Sequence, residues 1–301
     1  MDPKEPSRHL IGQTIADTYR VLGLLGTGGM GGVFEAEHVS TGELVAIKVL
    51  HAAQAQDETA RKRFHQEAWA TGAIGHPNLC AVLDMGTLRD GSPYLVMERL
   101  FGEPLSERQR REQELPIQDV IVIVRQVLAG LGAAHEHGVL HRDIKPENVF
   151  LAEQHGFPAM AKLLDFGVSK VLVSGPSGEW EEKSALTKAG MVMGTPYYLS
   201  PEQARALRDL DPRADLYACG VMLYELLTGV RPFVAHNYDA LLLRILQGHP
   251  TPPRALRPSI RPELEAVVLK AMAKERHERY ASASELSRAL ASVRDRADGG
   301  S

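Results

Sequence analysis

Apolar residues recur along this chain with two different periods, and each period predicts a different kind of element. Between Ile117 and His137 the spacing is helical and continues for about 20 residues, which favours an amphipathic helix over a strand. A second helix is predicted from Asp211 through Leu227. The same period predicts further helices at about 238–247, 262–273 and 282–294.

Shorter runs rich in β-branched residues occupy the first third of the chain. The segment from Tyr19 to Glu37 predicts two strands joined by a glycine-rich turn, and residues 45–49, 81–87 and 93–97 predict three more. A helix is predicted between them, from Asp57 to about Ile74.

A later pair of short apolar runs, Val149–Leu151 and Lys162–Leu164, predicts a hairpin. The segment that joins them contains Gly156 and Pro158, and it is predicted to be a long loop. No function follows from its sequence.

Composition excludes several classes of protein. The 301 residues are 44% apolar and 24% charged, which is ordinary for a folded protein, and the formal charge of −4 gives no reason to expect a nucleic-acid partner. The longest apolar run, Val120–Val124, is shorter than the roughly 20 residues of a membrane helix, and residues 1–6 contain no apolar signal segment. Cys80 and Cys219 lie in apolar stretches, so buried, reduced thiols and a cytoplasmic protein are expected.

Candidate chemistry is concentrated in residues 141–148, His-Arg-Asp-Ile-Lys-Pro-Glu-Asn. The proline forbids a helix there, so a loop is predicted that carries a carboxylate, Asp143, an ammonium, Lys145, and a carboxamide, Asn148. Such groups suit a reaction that needs a proton acceptor, a charge stabiliser and a metal ligand. Asp165 supplies a second carboxylate after the next apolar run, and two oxygen ligands on neighbouring loops predict a Mg²⁺ site.

The glycine-rich turn from Gly26 to Val33 is a second candidate site, because glycines let backbone N–H groups approach phosphate oxygens. A hairpin that binds nothing has the same pattern, and a dinucleotide-binding fold is disfavoured because a strand follows the glycines. Glu67 falls on the inward face of the predicted helix, where a carboxylate is costly unless it is paired. Lys48, the single charge in a β-rich run, is the partner that we expect.

These residues together resemble the motifs of the protein kinases. The loop at 141–148, Asp165-Phe166-Gly167 and the segment from Gly194 to Glu202 occur in the required order, and the likeness extends from about Tyr19 to Arg294. Within that family, the motifs are most similar to those of bacterial, eukaryotic-like serine/threonine kinases. The resemblance implies an α+β, bilobal fold, with a small antiparallel β lobe bearing one helix and a larger, mainly helical lobe. The expected divisions are a flexible start at 1–18, the small lobe at 19–97, the hinge at 98–103, the large lobe at 104–294 and a disordered tail at 295–301.

The resemblance also implies roles. Asp143 would orient and deprotonate the substrate hydroxyl, Lys145 would stabilise charge on the phosphoryl group, and Asn148 and Asp165 would hold Mg²⁺ or Mn²⁺. Lys48, paired with Glu67, would grip the α- and β-phosphates of ATP. The implied ATP-binding residues are Leu25, Gly26, Thr27, Gly28, Gly29, Met30, Gly31, Gly32, Val33, Ala46, Lys48, Met97, Glu98 and Leu100.

Three further residues are implied as a platform for the protein substrate. Thr195 would contact Asp143 and Lys145, which implies serine/threonine specificity, and Arg279 would pair with Glu202. Asp215 would bond to the backbone of the catalytic loop, which is a structural role.

A regulatory site is predicted from three cations, Arg142, Lys170 and Arg63, which would converge if the resemblance holds. A phosphate on Thr187, or alternatively on Ser184, could bridge them. The other interpretation is three solvated surface charges.

The expected function is a self-contained serine/threonine protein kinase that uses ATP, acts on proteins and on itself in trans, and has no nucleic-acid or membrane partner. A pseudokinase that serves as a nucleotide-binding scaffold is the alternative, and it is disfavoured because Lys48, Asp143 and Asp165 are all present. A small-molecule phosphotransferase of related fold would not be expected to keep Thr195 and residues 200–202.

Overall fold

The computed structural model describes residues 8–27, 31–50, 74–154, 156–165, 196–207 and 209–293. The chain divides into two compact units, Met1–Phe101 and Gly102–Ser301, and the division falls within the predicted hinge at 98–103. A β-rich first unit and a mainly helical second unit confirm the α+β expectation. The helix predicted between Asp57 and Ile74 lies outside the described residues except for its last position.

The first unit contains one antiparallel sheet of six strands, in the order β1-β2-β3-β4-β6-β5. Its strands agree closely with the predicted ones, apart from β1, which was not predicted. They are β1 (Thr14–Ile15), β2 (Tyr19–Thr27), β3 (Gly31–His38), β4 (Leu44–Leu50), β5 (Val82–Thr87) and β6 (Pro93–Glu98).

Residues 8–18 are folded in the structure, although they belong to the segment at 1–18 that was predicted to be flexible. Leu10 and Ile15 are both buried, and they join the apolar cluster on one face of the sheet that includes Phe34. β1 pairs with β2, and the backbone N–H of Gly12 donates to the carbonyl of Val21 at 2.9 Å. Burial of two large side chains and these backbone bonds offset the entropy lost on ordering the segment.

The second unit contains a three-stranded sheet, in the order β7-β8-β9, and eight described α-helices. The strands are β7 (Gly102–Pro104), β8 (Val149–Gln154) and β9 (Phe157–Leu163). The helices are α1 (Leu105–Glu112), α2 (Ile117–Glu136), α3 (Pro201–Ala204), α4 (Arg213–Thr228), α5 (Tyr238–Gln247), α6 (Pro253–Leu256), α7 (Pro262–Ala271) and α8 (Ala283–Ser292).

The long loop predicted around Gly156 is wrong, because most of it is strand. β8 extends to Gln154 and β9 begins at Phe157, and Gly156 has a left-handed backbone with φ 78°. Pro158 lies within β9, which is an edge strand, and an edge strand tolerates a residue without an N–H.

Two helices form the core that supports the loop at 141–148. α2 packs against α8, β9 and α4, and Val120, Val124 and Leu131 are fully buried. By length and composition alone, α2 is long and apolar enough to cross a membrane, and half of its most apolar stretch is buried inside the protein. α4 is buried from Ala214 through Leu227, and it ends at Gly229 in the left-handed conformation.

Candidate active site

Asp215, in the first turn of α4, anchors the loop at 141–148. Its Oδ1 accepts a hydrogen bond from the N–H of Arg142 at 2.7 Å, and its Oδ2 accepts from the N–H of His141 at 2.9 Å and from Nε2 of His135 at 2.8 Å. Burial alone would raise the pKa of Asp215, but the hydrogen bond and attraction of His135, followed by those of His141, outweigh it and lower the pKa. The buried carboxylate therefore stays charged and fixes the start of the loop, as the resemblance implied.

His141, the first residue of this loop, is a buried and neutral imidazole. It is fully buried, and burial lowers its pKa although Asp215 and Asp143 act in the opposite direction. Its Nδ1 accepts from the N–H of Asp143 at 3.3 Å, and its Nε2 lies 3.0 Å from the carbonyl of Leu164. A neutral tautomer with the proton on Nε2 satisfies both contacts.

The structure brings together the three predicted residues of this loop. Nζ of Lys145 donates to Oδ2 of Asp143 at 2.7 Å. Nδ2 of Asn148 donates to the same oxygen at 3.1 Å and to the Asp143 backbone carbonyl at 2.8 Å. The Asp143 side chain is 19% exposed, so its orientation is fixed while the carboxylate remains accessible to a hydroxyl group.

Asp165 is attached to the same loop through the residue before it. The N–H of Leu164 donates to the carbonyl of Asn148 at 2.9 Å, and the carbonyl of Leu164 contacts His141. Asp165 follows in the left-handed conformation, with φ 49° and an exposed side chain. Asn148 uses its amide nitrogen on Asp143, which leaves its carbonyl oxygen suited to a cation. Two oxygen donors of this kind fit Mg²⁺, whose other ligands are normally water and phosphate oxygens. In the described parts of the chain, no group of three His, Cys, Asp or Glu residues could hold a metal ion.

Four of the predicted nucleotide residues share one face of the sheet in the first unit. Lys48 on β4 pairs with Val33 on β3 and Leu95 on β6, and Ala46 pairs with Met97. Directly paired residues point to the same side of a sheet, so Val33, Ala46, Lys48 and Met97 are neighbours there. This face is opposite to the one that holds Phe34.

Gly31, in the glycine-rich turn, lies where a residue with a Cβ atom does not fit. A Cβ atom on Gly31 would lie 1.9 Å from the carbonyl oxygen of Val49. Gly28, Gly29 and Met30 lie outside the described residues, as does Glu67, so its pairing with Lys48 stays a prediction.

Glu98 and Arg99, in the predicted hinge at 98–103, are bound to other residues of the first unit through backbone and side-chain contacts. The N–H of Glu98 donates to the carbonyl of Ala81 at 3.0 Å, and its Oε1 accepts from the N–H of Ala81 at 2.7 Å. Nε of Arg99 lies 2.8 Å from Oε1 of Glu35 on β3, and its guanidinium lies 4.5 Å from the ring centre of Phe101. Arg99 also donates to the carbonyl of Leu100.

Glu202 and Arg279 form the ion pair that was predicted between them. Nη1 and Nη2 of Arg279 lie 2.7 and 2.8 Å from the two oxygens of Glu202, and their side chains are 0% and 6% exposed. Arg279 also donates to the carbonyls of Arg213, Ala273 and Lys274. Burial acts to raise the pKa of Glu202, but the hydrogen bond and charge of Arg279 lower it.

Several predicted residues lie outside the described parts of the chain: Thr195 of the platform and the regulatory residues Arg63, Lys170, Ser184 and Thr187. Arg142 is described, and its Nε is buried and has no hydrogen-bond partner among the described residues. The sequence did not suggest His135 as a partner of Asp215, because the two are 80 positions apart. A histidine at the polar end of a helical pattern gave no signal for that role.

Comparison with known proteins identifies the family. A protein-family model described as protein kinase domain matches residues 19–289. The serine/threonine-protein kinase pkn3 of Myxococcus xanthus is 42% identical over 285 residues, which are 94% of this chain and 51% of that protein. Pkn1 of the same organism is 41% identical over 273 residues, which are 91% of this chain and 38% of that protein. This chain thus spans about half the length, or less, of these relatives.

A solved structure agrees with them. The crystal structure of the Mycobacterium tuberculosis PknI kinase domain superposes with a TM-score of 0.69 and 29% identity, covering 93% of this chain and 97% of that one. Because the family model covers most of the chain and relatives above 40% identity extend over nine-tenths of it, this chain belongs to the protein kinase domain family.

Proposed function

We propose that this chain is a serine/threonine protein kinase, which transfers the γ-phosphoryl group of ATP to hydroxyl groups of other proteins and of itself in trans. The observation that carries this proposal is the Asp143 carboxylate, held by Lys145 at 2.7 Å and by Asn148 at 3.1 Å on a loop anchored by Asp215. The relatives pkn3 and Pkn1, which are named as serine/threonine kinases, support it.

The chemistry assigned to the loop follows from its charges. Asp143 accepts the proton of the acceptor hydroxyl as the hydroxyl oxygen bonds to the γ-phosphorus and the bond to the β–γ bridging oxygen breaks. Lys145, beside Asp143, offsets the negative charge on the transferring group. The neutral His141 supports the loop from below and takes no part in proton transfer.

Asn148 and Asp165 would hold the divalent cation through their oxygens. When bound, the cation neutralises charge between the β- and γ-phosphates. We infer that Lys48 and the glycine turn of the first unit bind the phosphates, and that the backbone of Glu98 and Leu100 binds adenine. The reaction requires ATP. A cytoplasmic location is part of the proposal, and the burial of Cys80 and Cys219 is compatible with it.

The proposal is tested by measuring transfer of labelled γ-phosphate to a general protein substrate and to the kinase itself. We expect transfer that requires Mg²⁺ or Mn²⁺, and near-background transfer by Asp165→Ala even at saturating ATP, because the substitution removes the carboxylate assigned to the cation, and the Asp143 carboxylate beside Asn148 is already bound by Lys145. Glu263→Ala, at an exposed acid in the first turn of α7, is the matched control and should behave as wild type.

Two results would contradict this assignment. Substantial transfer in excess chelator would remove the cation from the mechanism. Nucleotide binding by wild type with no transfer to any protein would instead favour a nucleotide-binding scaffold.

Regulation is proposed to act through Arg142. Its side chain lies beside the catalytic loop, and its buried Nε has no partner among the described residues, so a bound anion would supply the missing acceptor. A phosphate on Thr187 carries about −1.5 to −2 charge, and it would pair with Arg142, Lys170 and Arg63. Ser184 is the alternative donor.

We therefore expect autophosphorylation at Thr187, and we expect Thr187→Ala to lower activity towards other proteins. Mass spectrometry of active enzyme and phosphatase treatment check this. Ser184→Ala serves as the comparison and should retain activity. An active enzyme with unmodified Thr187, or activity that survives complete dephosphorylation, would exclude this mechanism.

A further inference from the structure

Gln203 connects the substrate platform to the catalytic loop. It lies in the short helix α3, directly after Glu202, and its side-chain amide makes two contacts in opposite directions. Its Oε1 accepts from the N–H of Ser200 at 3.0 Å, and its Nε2 donates to the backbone carbonyl of Arg142 at 3.1 Å. Since one partner can only donate and the other can only accept, the amide has a single satisfactory orientation.

The carbonyl that Gln203 binds belongs to a residue in a strained conformation. Arg142 has φ 64°, in the left-handed region that residues with a Cβ atom rarely adopt. Its N–H is bound by Asp215 at 2.7 Å, and its carbonyl is bound by Gln203. The two backbone polar groups of Arg142 are thus fixed by α4 on one side and by α3 on the other.

This conformation determines the direction of the next side chain. The Arg142 carbonyl and the Asp143 N–H belong to one planar peptide unit, so rotation of the carbonyl also rotates the N–H and displaces the Asp143 Cα. The N–H end of that unit donates to Nδ1 of His141 at 3.3 Å, which is longer than the 3.1 Å contact between the carbonyl and Gln203. Gln203 therefore supplies the shorter of these two contacts.

We propose that Gln203 is a positioning residue for phosphoryl transfer, which orients the Asp143 carboxylate through the Arg142 carbonyl. The inference rests on the proposed kinase activity and adds a residue that touches neither nucleotide nor acceptor. A simpler role would be to cap α3, because the N–H of Gln203 also donates to Oγ of Ser200 at 3.3 Å in a reciprocal capping arrangement.

Three substitutions separate the two roles. Gln203→Glu keeps an oxygen for the N–H of Ser200 but replaces the donor that faces Arg142 with an acceptor. Gln203→Met has a similar volume and neither donor nor acceptor, so it removes the contact without adding charge. Ser200→Ala removes the capping hydroxyl and leaves the contact between Gln203 and Arg142 in place. Gln247→Glu, at the exposed end of α5, controls for the added charge.

For each purified variant, kcat, the KM of a protein acceptor, the Kd of ATP and the melting temperature are measured, with kcat expressed per nucleotide-binding site. We expect both Gln203 variants to lose about 10-fold in kcat, with the acceptor KM and the ATP Kd within about two-fold of wild type. Ser200→Ala should lower the melting temperature more than kcat, and Gln247→Glu should match wild type.

The inference is overturned if either Gln203 variant keeps the wild-type kcat, if the loss is confined to acceptor KM, or if Ser200→Ala loses as much kcat. A loss in Gln203→Glu alone would mean that added charge is responsible, and it would count against the positioning role. Wild-type enzyme that transfers no phosphate would reject the proposed function itself, whereas active wild type with unaffected variants rejects only the role of Gln203. Because Gln203→Met introduces no charge into the fold, it gives a decisive result if Gln203→Glu fails to fold.

Discussion

Asp143→Asn is expected to lower kcat for phosphoryl transfer by about 10²–10⁴-fold, the usual contribution of a general base, while ATP binding stays near its wild-type level. The amide keeps an oxygen that Lys145, now 2.7 Å from the carboxylate, can contact, so the loop retains its shape. It has no basic oxygen to accept the hydroxyl proton. The variant therefore separates chemistry from nucleotide binding.

The measurement is steady-state kcat together with the Kd of ATP on purified protein. Asp239→Asn is the matched control, because Asp239 is an exposed acid in the first turn of α5. The substitution changes the charge of the second unit by the same amount as Asp143→Asn does. Near wild-type turnover by Asp143→Asn would rule out Asp143 as the base.

Arg279→Met should destabilise the second unit by about 3–5 kcal/mol, which is the usual cost of removing one partner from a buried ion pair. The substitution leaves the Glu202 carboxylate buried, at 6% exposure, without the two bonds that now neutralise it. It also leaves the carbonyls of Ala273 and Lys274 without their donor.

The loss of stability in Arg279→Met depends on pH, and its direction follows from the pKa of Glu202. In wild type the pKa of Glu202 is lowered, so its contribution to stability is complete above its unfolded pKa and is lost as pH falls through the folded value. In Arg279→Met, burial without a partner raises the pKa of Glu202, so mild acid protonates it and the deficit relative to wild type shrinks. Denaturant unfolding at several pH values measures both effects.

Two further variants complete this test. Glu202→Gln combined with Arg279→Met should recover part of the loss, because no uncompensated charge remains buried. Arg276 lies three positions before Arg279 and forms an exposed ion pair with Asp209. Arg276→Met breaks that pair and should change the free energy of unfolding little. A small effect of Arg279→Met, or a deficit that grows in acid, would contradict the argument.

The parts of the site that the sequence could predict are those in which chemistry is local in the chain. Asp143, Lys145 and Asn148 lie within six positions, so a loop conformation is enough to bring them together. The long-range contacts that the structure shows were predicted where the family resemblance implied them, as for Asp215 with the loop and Arg279 with Glu202. Gln203 and Arg142 are 61 positions apart, and nothing in their local sequence relates them.

The errors in the fold have the same physical origin. β8 ends in exposed polar residues and β9 begins with Phe157 and Pro158, so neither shows the alternation that marks a half-buried strand. Pairing between the two strands overrides their weak individual preferences. Leu10 and Ile15 likewise have no periodic neighbours, and only the finished sheet provides a surface that buries them.

Residues 8–18 lie outside the range matched by the family model, yet they are part of the folded first unit. The protein kinase family model begins its match at Tyr19 and leaves out the segment before it. The folded first unit includes residues of that segment, because Leu10 and Ile15 are 4% exposed and belong to the same apolar layer as Tyr19 and Phe34. An expression boundary placed where homology begins would leave this layer open to solvent and give a truncated protein prone to association through it.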